Sequence, residues 1–456
     1  MNWRDRIFGA GLVSNIGANG FGLLVQVFIQ LASVPILAHS WGLETYGVWL
    51  ILLTIPAWLG SGDLGFQGVA ANEMTAQVAR GERAEALATF HSLATLTAIV
   101  VVVLLAIGVL LVAGPLAHLL SFADGASGGH ATTVALLMLG YGLLNLVNGL
   151  ANAALRATGA YSKYTHAIAA AILAENIAVI AVALSGGGLL NAVIAYASLR
   201  AVATVLLWLV VRGHARWLLS GPWHASLARL KGMARPAAAL AIMPLSFTLS
   251  IQSMAPVIAA ASSVAMVPLF TSVRTLTRFA VQVTAIVSNA IMPNFTVAVA
   301  QRDTARQADL AALTVVTSAV ALIPAFVGLA LLGPWFMETW TGGAIDPPYW
   351  LILALAGAML ANGTWLPLSN LLIAVNRHES FTYVFLALSA CALGLAYLLV
   401  REMGVTGAGV AVLMLELCML GWIVRQVRRQ DMLAGSSLRA APGRTLAMMR
   451  ARFDLR

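Results

Sequence analysis

Arg274, Arg278 and Gln282 recur four residues apart in VPLFTSVRTLTRFAVQVTAIVSNAIMPN, a stretch with no acid of its own. That spacing places all three on one face of a helix. A guanidinium stays protonated and offers a planar fork of donors that matches phosphate oxygens. Two of them in an apolar segment need an anionic or polar partner, because a lone charge in hydrocarbon is costly. One reading is a phosphate or pyrophosphate clamp facing a cavity. The other is a structural pair bonded to backbone carbonyls or to an acid from another segment. A second polar face comprises Tyr141, Asn145, Asn148 and Asn152. Its amides suit sugar hydroxyls in a cavity and equally suit bonds between helices.

Four more charges lie in apolar surroundings. Asp63 stands in the breaker-rich GSGDLG, where it either binds a proton or cation or answers one of the arginines. Glu175 and Arg200 fall on adjacent apolar runs at similar depth, which suits an internal ion pair or a substrate and coupling role. Glu416 is a lone acid with no partner apparent from sequence. Coupling to protons or sodium would fall to Asp63 or Glu175.

No HxxxH or CxxC spacing, phosphate-binding GxxxxGK[ST] loop or dinucleotide fingerprint occurs. Cys391 and Cys418 sit in apolar runs and read as small buried hydrophobes rather than a disulfide framework. The expectation is therefore no catalytic residue, no metal and no cofactor: not an enzyme. Hydrophobic residues make up 60% of the 456 and charged residues 9%. A water-facing surface needs far more charge than that.

Lipid as solvent resolves the imbalance. Apolar runs of about twenty residues can cross a bilayer. They lie at 12–38, 43–70, 88–113, 131–155, 166–185, 188–211, 236–261, 264–299, 308–332, 348–375, 380–400 and 404–424. Pro56, Gly60 and Gly62 are expected to break the second run and Pro268 the eighth. With both termini inside, 22 of the 26 Lys and Arg residues fall on the inner side and only Arg401 on the outer. Such segregation is the signature of cytoplasmic loops. A basic N-terminus, Met1 to Arg6, followed by a run continuing to Ala38 reads as a retained span.

The fold class is thus all-α: a polytopic membrane protein of about twelve transmembrane helices in two six-helix lobes. Residues 1–211 form the N-terminal lobe and 236–425 the C-terminal lobe, with a basic cytoplasmic tail at 426–456. Between the lobes, 212–235 is a cytoplasmic linker whose Trp217, Leu218, Trp223, Leu227 and Leu230 mix with Arg216, Arg229 and Lys231. That mixture suits a short helix on the membrane surface. ANEMTAQVARGERAEA at 71–86 and PNFTVAVAQRDTARQA at 293–308 align at an offset of 222, Asn72 with Asn294 and Arg80 with Arg302. The match predicts a parallel repeat about an axis normal to the membrane.

Two stretches carry a family resemblance: ASVPILAHSWGLETYG at 32–47 and GDLGFQGVAA at 62–71. Pro35, Gly42, Tyr46 and Gly47, followed by Asp63, Leu64 and Gly65, resemble the polysaccharide-transport proteins. These are the Wzx-type flippases for lipid-linked oligosaccharides, within the multidrug/oligosaccharidyl-lipid/polysaccharide exporter group. The resemblance implies a V-shaped pair of lobes and alternating access. It implies transfer of an undecaprenyl-pyrophosphate-linked repeat unit to the outer leaflet of a bacterial inner membrane, alongside other polysaccharide-assembly proteins and without nucleic acid. Cationic cavity residues would draw the anionic head, a role that Arg274 and Arg278 fit. A cation-coupled multidrug exporter and a lipid II flippase are the rival readings. The first would favour acids in its cavity. The second usually adds two helices beyond twelve.

Overall fold

A computed structural model describes residues 10–114, 125, 129–220, 222–301, 303–374 and 379–429. The N-terminal basic residues, most of the 114–130 connection, Arg302, Arg377 and most of the 426–456 tail lie outside them. Among the described residues the chain is helical throughout, with no strand. The α-helices are α1 (Ala10–Leu52), α2 (Thr54–Gly60), α3 (Phe66–Ala79), α4 (Arg83–Ala113), α5 (Ala131–Ala157), α6 (Tyr161–Leu184) and α7 (Leu189–His214). After them come α8 (Leu227–Gln252), α9 (Met254–Ala261), α10 (Met266–Ala300), α11 (Thr304–Thr341), α12 (Tyr349–Ala374), α13 (Glu379–Met403) and α14 (Val405–Arg429).

Helices are the economical solution in lipid because they satisfy their own backbone polar groups. Ten helical stretches among the described residues are long and apolar enough to cross a bilayer. One of them, Gly17–Asp63, holds 47 residues. At 1.5 Å per residue that is about 70 Å, roughly twice the hydrocarbon core. It is broken at Gly42, whose φ of 73° and ψ of 171° belong to glycine. Its length is enough for two crossings. The 35-residue α10 is outside the ten yet has ample length, so the described helices provide ten to twelve crossings. Leu110, Val320 and Leu331 stand at least 70% exposed on their helices, as lipid-facing side chains do.

The break expected in the second span falls on a 3-10 turn, Ser61–Asp63. Leu64 (φ 48°) and Gly65 (φ 80°) then adopt left-handed backbone before α3. Gly65 is also where two backbones meet: a β-carbon there would stand 2.3 Å from the Ala237 carbonyl oxygen. Pro268 does not break the eighth span. It lies in the first turn of α10, where a missing N–H removes no helical bond.

Two compact units divide the chain, Met1–Thr248 and Leu249–Arg456. The division falls inside α8, so residues 236–248, which sequence placed with the second lobe, pack with the first unit. Close packing of Ala237 on Gly65 and a 3.2 Å bond between the Ser61 and Thr248 hydroxyls hold them there. The first unit's core gathers Met74, Phe90, Leu93, Leu155, Leu207, Val211 and Leu218. In the second, α12 packs against α10, α11 and α14 and buries Trp365 completely.

The linker differs from an amphipathic surface helix. Arg216–Leu219 is a 3-10 turn, and the next helix starts only at Leu227. Leu218 is fully buried in the first unit's core, with Trp217 and Leu230 against it. Burial inside the protein replaces burial in the headgroup region for these side chains, while Trp223 and Leu227 stay exposed.

The two repeat segments adopt the same local geometry. Helix α3 ends at Ala79 and α4 starts at Arg83; α10 ends at Ala300 and α11 starts at Thr304. A bond from the Glu82 N–H to the Gln77 carbonyl (2.9 Å) matches one from Asp303 to Ala298 (3.0 Å). The offset is 221, one less than the sequence alignment suggested, so Arg80 corresponds to Gln301. In the first turn, the exposed Arg80 guanidinium holds the Glu82 carboxylate below its ordinary pKa through a direct hydrogen bond.

Candidate functional site

The first unit contains a closed polar cluster built from three helices. Glu175 on α6 and Arg200 on α7 form an ion pair, Oε2 to Nη2, at 2.7 Å. Tyr141 on α5 completes it by donating to Glu175 Oε2 at 3.0 Å and accepting from Arg200 Nη2 at 2.5 Å. The guanidinium carbon also lies 4.7 Å from the centre of the Tyr141 ring, and Tyr196 stacks on that ring at 4.5 Å. All four residues are buried. This is the ion pair that adjacent spans at matching depth suggested. Arg200 has its charge answered inside the unit.

Further along the same seam, Asn148 donates to the Thr204 hydroxyl at 3.1 Å. Asn148 is 2% exposed, while Asn145 and Asn152 are half-buried. At Asn148 the amide thus joins α5 to α7, which is the helix-knitting option for that face. Asp63 accepts from the Gln67 backbone N–H at 3.1 Å and so ties down the first turn of α3. It also lines a small cleft with Phe66, Gln67, Leu93, Thr97 and Leu146.

The second unit carries the arginine face. Arg274 makes one long hydrogen bond, Nη1 to the Ser250 carbonyl at 3.4 Å, and its guanidinium lies 5.6 Å from the Phe270 ring centre. Arg278, one turn on, is exposed, and Gln282 is half-buried. Among the described residues, neither arginine has a carboxylate within ion-pair distance. Asp63, the acid considered as a partner for them, is bonded to the Gln67 backbone instead.

Glu416 gains the partners that sequence could not supply. Its Oε2 accepts from Trp365 Nε1 at 2.6 Å and from Asn362 Nδ2 at 2.9 Å. It is 6% exposed, and its field reaches Arg274. Neither Trp365 nor Asn362 stood out in the sequence. The only signal was an Asn and a Trp three apart in one span, with an unanswered acid in another.

No protein-family model matches the sequence, and no curated protein matches it. Solved structures do resemble it. An inward-facing multidrug-resistance MATE-family transporter of the MOP superfamily superposes with a TM-score of 0.66 at 15% identity, covering 92% of this chain and 95% of that one. The lipid II flippase MurJ in an inward closed conformation gives a TM-score of 0.70 at 11% identity, covering 96% and 93%. A MOP-superfamily transporter from Pyrococcus furiosus, described as having a binding pocket of reversed polarity, gives 0.56 at 16% identity, covering 94% and 96%. The chain has the fold of these transporters. At such identities the likeness concerns the fold, and the chemistry has to come from the chain's own side chains.

Proposed function

We propose that this protein is a flippase that carries a polyprenyl-pyrophosphate-linked oligosaccharide from the inner to the outer leaflet of a bacterial inner membrane. Both termini would be cytoplasmic and the mechanism alternating access. The observation that carries the reading is the face formed by Arg274 and Arg278, cationic and without a paired carboxylate among the described residues. A fixed guanidinium pair lets a multiply charged head leave water without being stranded in hydrocarbon. Gln282 extends that face with a neutral donor and acceptor for the first sugar. The polyprenyl tail stays in lipid, and the glycan needs only a hydrated chamber. Asp63 and Glu175 are the groups at which proton or sodium coupling would enter. Membrane lipids and other polysaccharide-assembly proteins are the expected partners.

Leaflet translocation in proteoliposomes, normalised to folded protein, tests this. Replacing either arginine by Ala should abolish or strongly reduce transport while the protein still reaches the membrane. Arg278→Lys keeps the charge, loses the bidentate fork and should retain part of it. Charge reversal to Glu should be worse than Ala. Near-normal transport by the Arg274→Ala, Arg278→Ala double variant refutes the clamp. Transport of lipid II in preference to longer lipid-linked glycans would keep the clamp and change the substrate.

A further inference from the structure

His91 near the start of α4 takes no part in the site above, yet it is the centre of a well-ordered contact. It is 2% exposed. Its Nε2 lies 3.2 Å from the Leu218 carbonyl, and its Nδ1 lies 3.2 Å from the His224 backbone nitrogen. A carbonyl can only accept and a backbone N–H can only donate. Nε2 therefore carries the proton and Nδ1 is a bare acceptor, which defines one neutral tautomer. Trp223 stacks on the imidazole at 4.3 Å and donates its indole N–H to Thr95 at 3.0 Å. The Ser226 N–H donates to Ser92 Oγ at 2.9 Å, and Arg229 pairs with Glu85. One face of α4 thus holds Leu218, Trp223, His224, Ser226 and Arg229.

Adding a proton to Nδ1 turns it from acceptor to donor. Two donors, the imidazolium and the His224 amide, then face each other at a site with little access to water. Stacking on Trp223 favours the imidazolium by cation–π attraction but supplies no replacement acceptor. The His224 ring, centred 6.5 Å away, adds repulsion whenever it is charged as well. Glu85 on α4 is held by Arg229 of α8, and Glu73 of α3 is held by Gln77. Arg83 of α4 lies over Trp217, and Arg216 of the 3-10 turn and Arg156 of α5 are cations on elements packed against α4.

We infer that His91 is a proton-operated latch, clipping Leu218 and the stretch 223–226 to α4 when neutral and releasing them when protonated. The segment ends where α8 begins, and α8 carries the chain into the second unit. The latch thus sets how firmly the start of α8 is anchored within the first unit. It does not depend on the identity of the transported molecule.

Hydrogen exchange on the full-length protein in nanodiscs, read by mass spectrometry, tests it. Between about pH 5 and 8, where an imidazole titrates, amides of Leu218 and 223–226 should lose protection in a step on acidification. The expected size is about tenfold or more beyond the intrinsic pH dependence of exchange. His91→Phe keeps a ring against Trp223 but no acceptor, so the segment should exchange fast at every pH, without a step. His224→Ala keeps the backbone N–H and should keep the step. Protection of α5 and α12 reports whether each variant folds; should His91→Phe fail there, the native protein and His224→Ala still decide. Absence of the step in the native protein, its persistence in His91→Phe or its loss in His224→Ala overturns the latch.

Discussion

Arg200→Ala should be among the most damaging single changes in the first unit, and the reason lies in what it leaves behind. Glu175 is fully buried and Arg200 3% exposed. Truncating the arginine removes the 2.7 Å ion pair, the 2.5 Å bond to Tyr141 and the guanidinium above the Tyr141 ring. It strands a carboxylate whose remaining support is the Tyr141 hydroxyl at 3.0 Å. Breaking one half of a buried pair costs about 3–5 kcal/mol. For a unit of 248 residues, each kcal/mol corresponds to about 2–4 °C in Tm, so the midpoint should fall by roughly 6–20 °C. Arg200→Met combined with Glu175→Gln removes both charges, keeps the volume and keeps an acceptor for Tyr141. It should recover most of the loss, ending within about 1–2 kcal/mol of the native protein. The assay is thermal unfolding of purified protein in detergent, with monodispersity after heating as the readout. A fall of under about 2 °C for Arg200→Ala, or a double variant as unstable as the single one, refutes the reasoning.

Gly65→Ala puts a β-carbon 2.3 Å from the Ala237 carbonyl oxygen at a φ of 80°. Left-handed backbone alone costs a non-glycine residue about 1–2 kcal/mol, so thermal stability should drop by more than that, whereas Gly60→Ala, with open space around it, should change it little. Topology is checked with single cysteines after replacing Cys391 and Cys418, which stand exposed and not buried as their apolar runs suggested. Cysteines at Gly125 and Trp340 should label from outside, and those at Arg83, Ala225 and Arg377 only after permeabilisation; reversal at any pair of sites removes the orientation.

Hydropathy and arginine segregation made most crossings legible, because lipid imposes a length and a polarity that a sequence must display. Pairings within the membrane were legible where both partners were conspicuous. Glu175 and Arg200 are rare charges at matching depths on neighbouring spans. Glu416 was not readable, because its partners are neutral and lie on another helix more than fifty residues earlier. Tyr141 read as a member of the asparagine face, and its share in the ion pair depends on how α5 is rotated against α6 and α7. The linker misled because an amphipathic composition suits a membrane surface and a protein groove equally. His91 was missed as a lone histidine in an apolar run, although Ser92 and Thr95 beside it hinted at a polar patch. The repeat was found one residue out of register, since identity of side chains and identity of hydrogen bonds need not coincide at a turn.

The Gly42 corner also bears on how this molecule meets the world beyond its membrane. The chain turns there at a single residue, and Trp41 ties the corner to the Gly187 carbonyl, in another short connection, at 3.0 Å. Two extramembrane edges are thereby reduced to almost nothing and knotted to each other. An insertion finds no slack chain at either place and must first tear the indole away. Evolutionary lengthening would meet the same obstacle. Variation has more room between Thr341 and Tyr349, where Gly342, Gly343, Asp346 and Pro348 stand exposed.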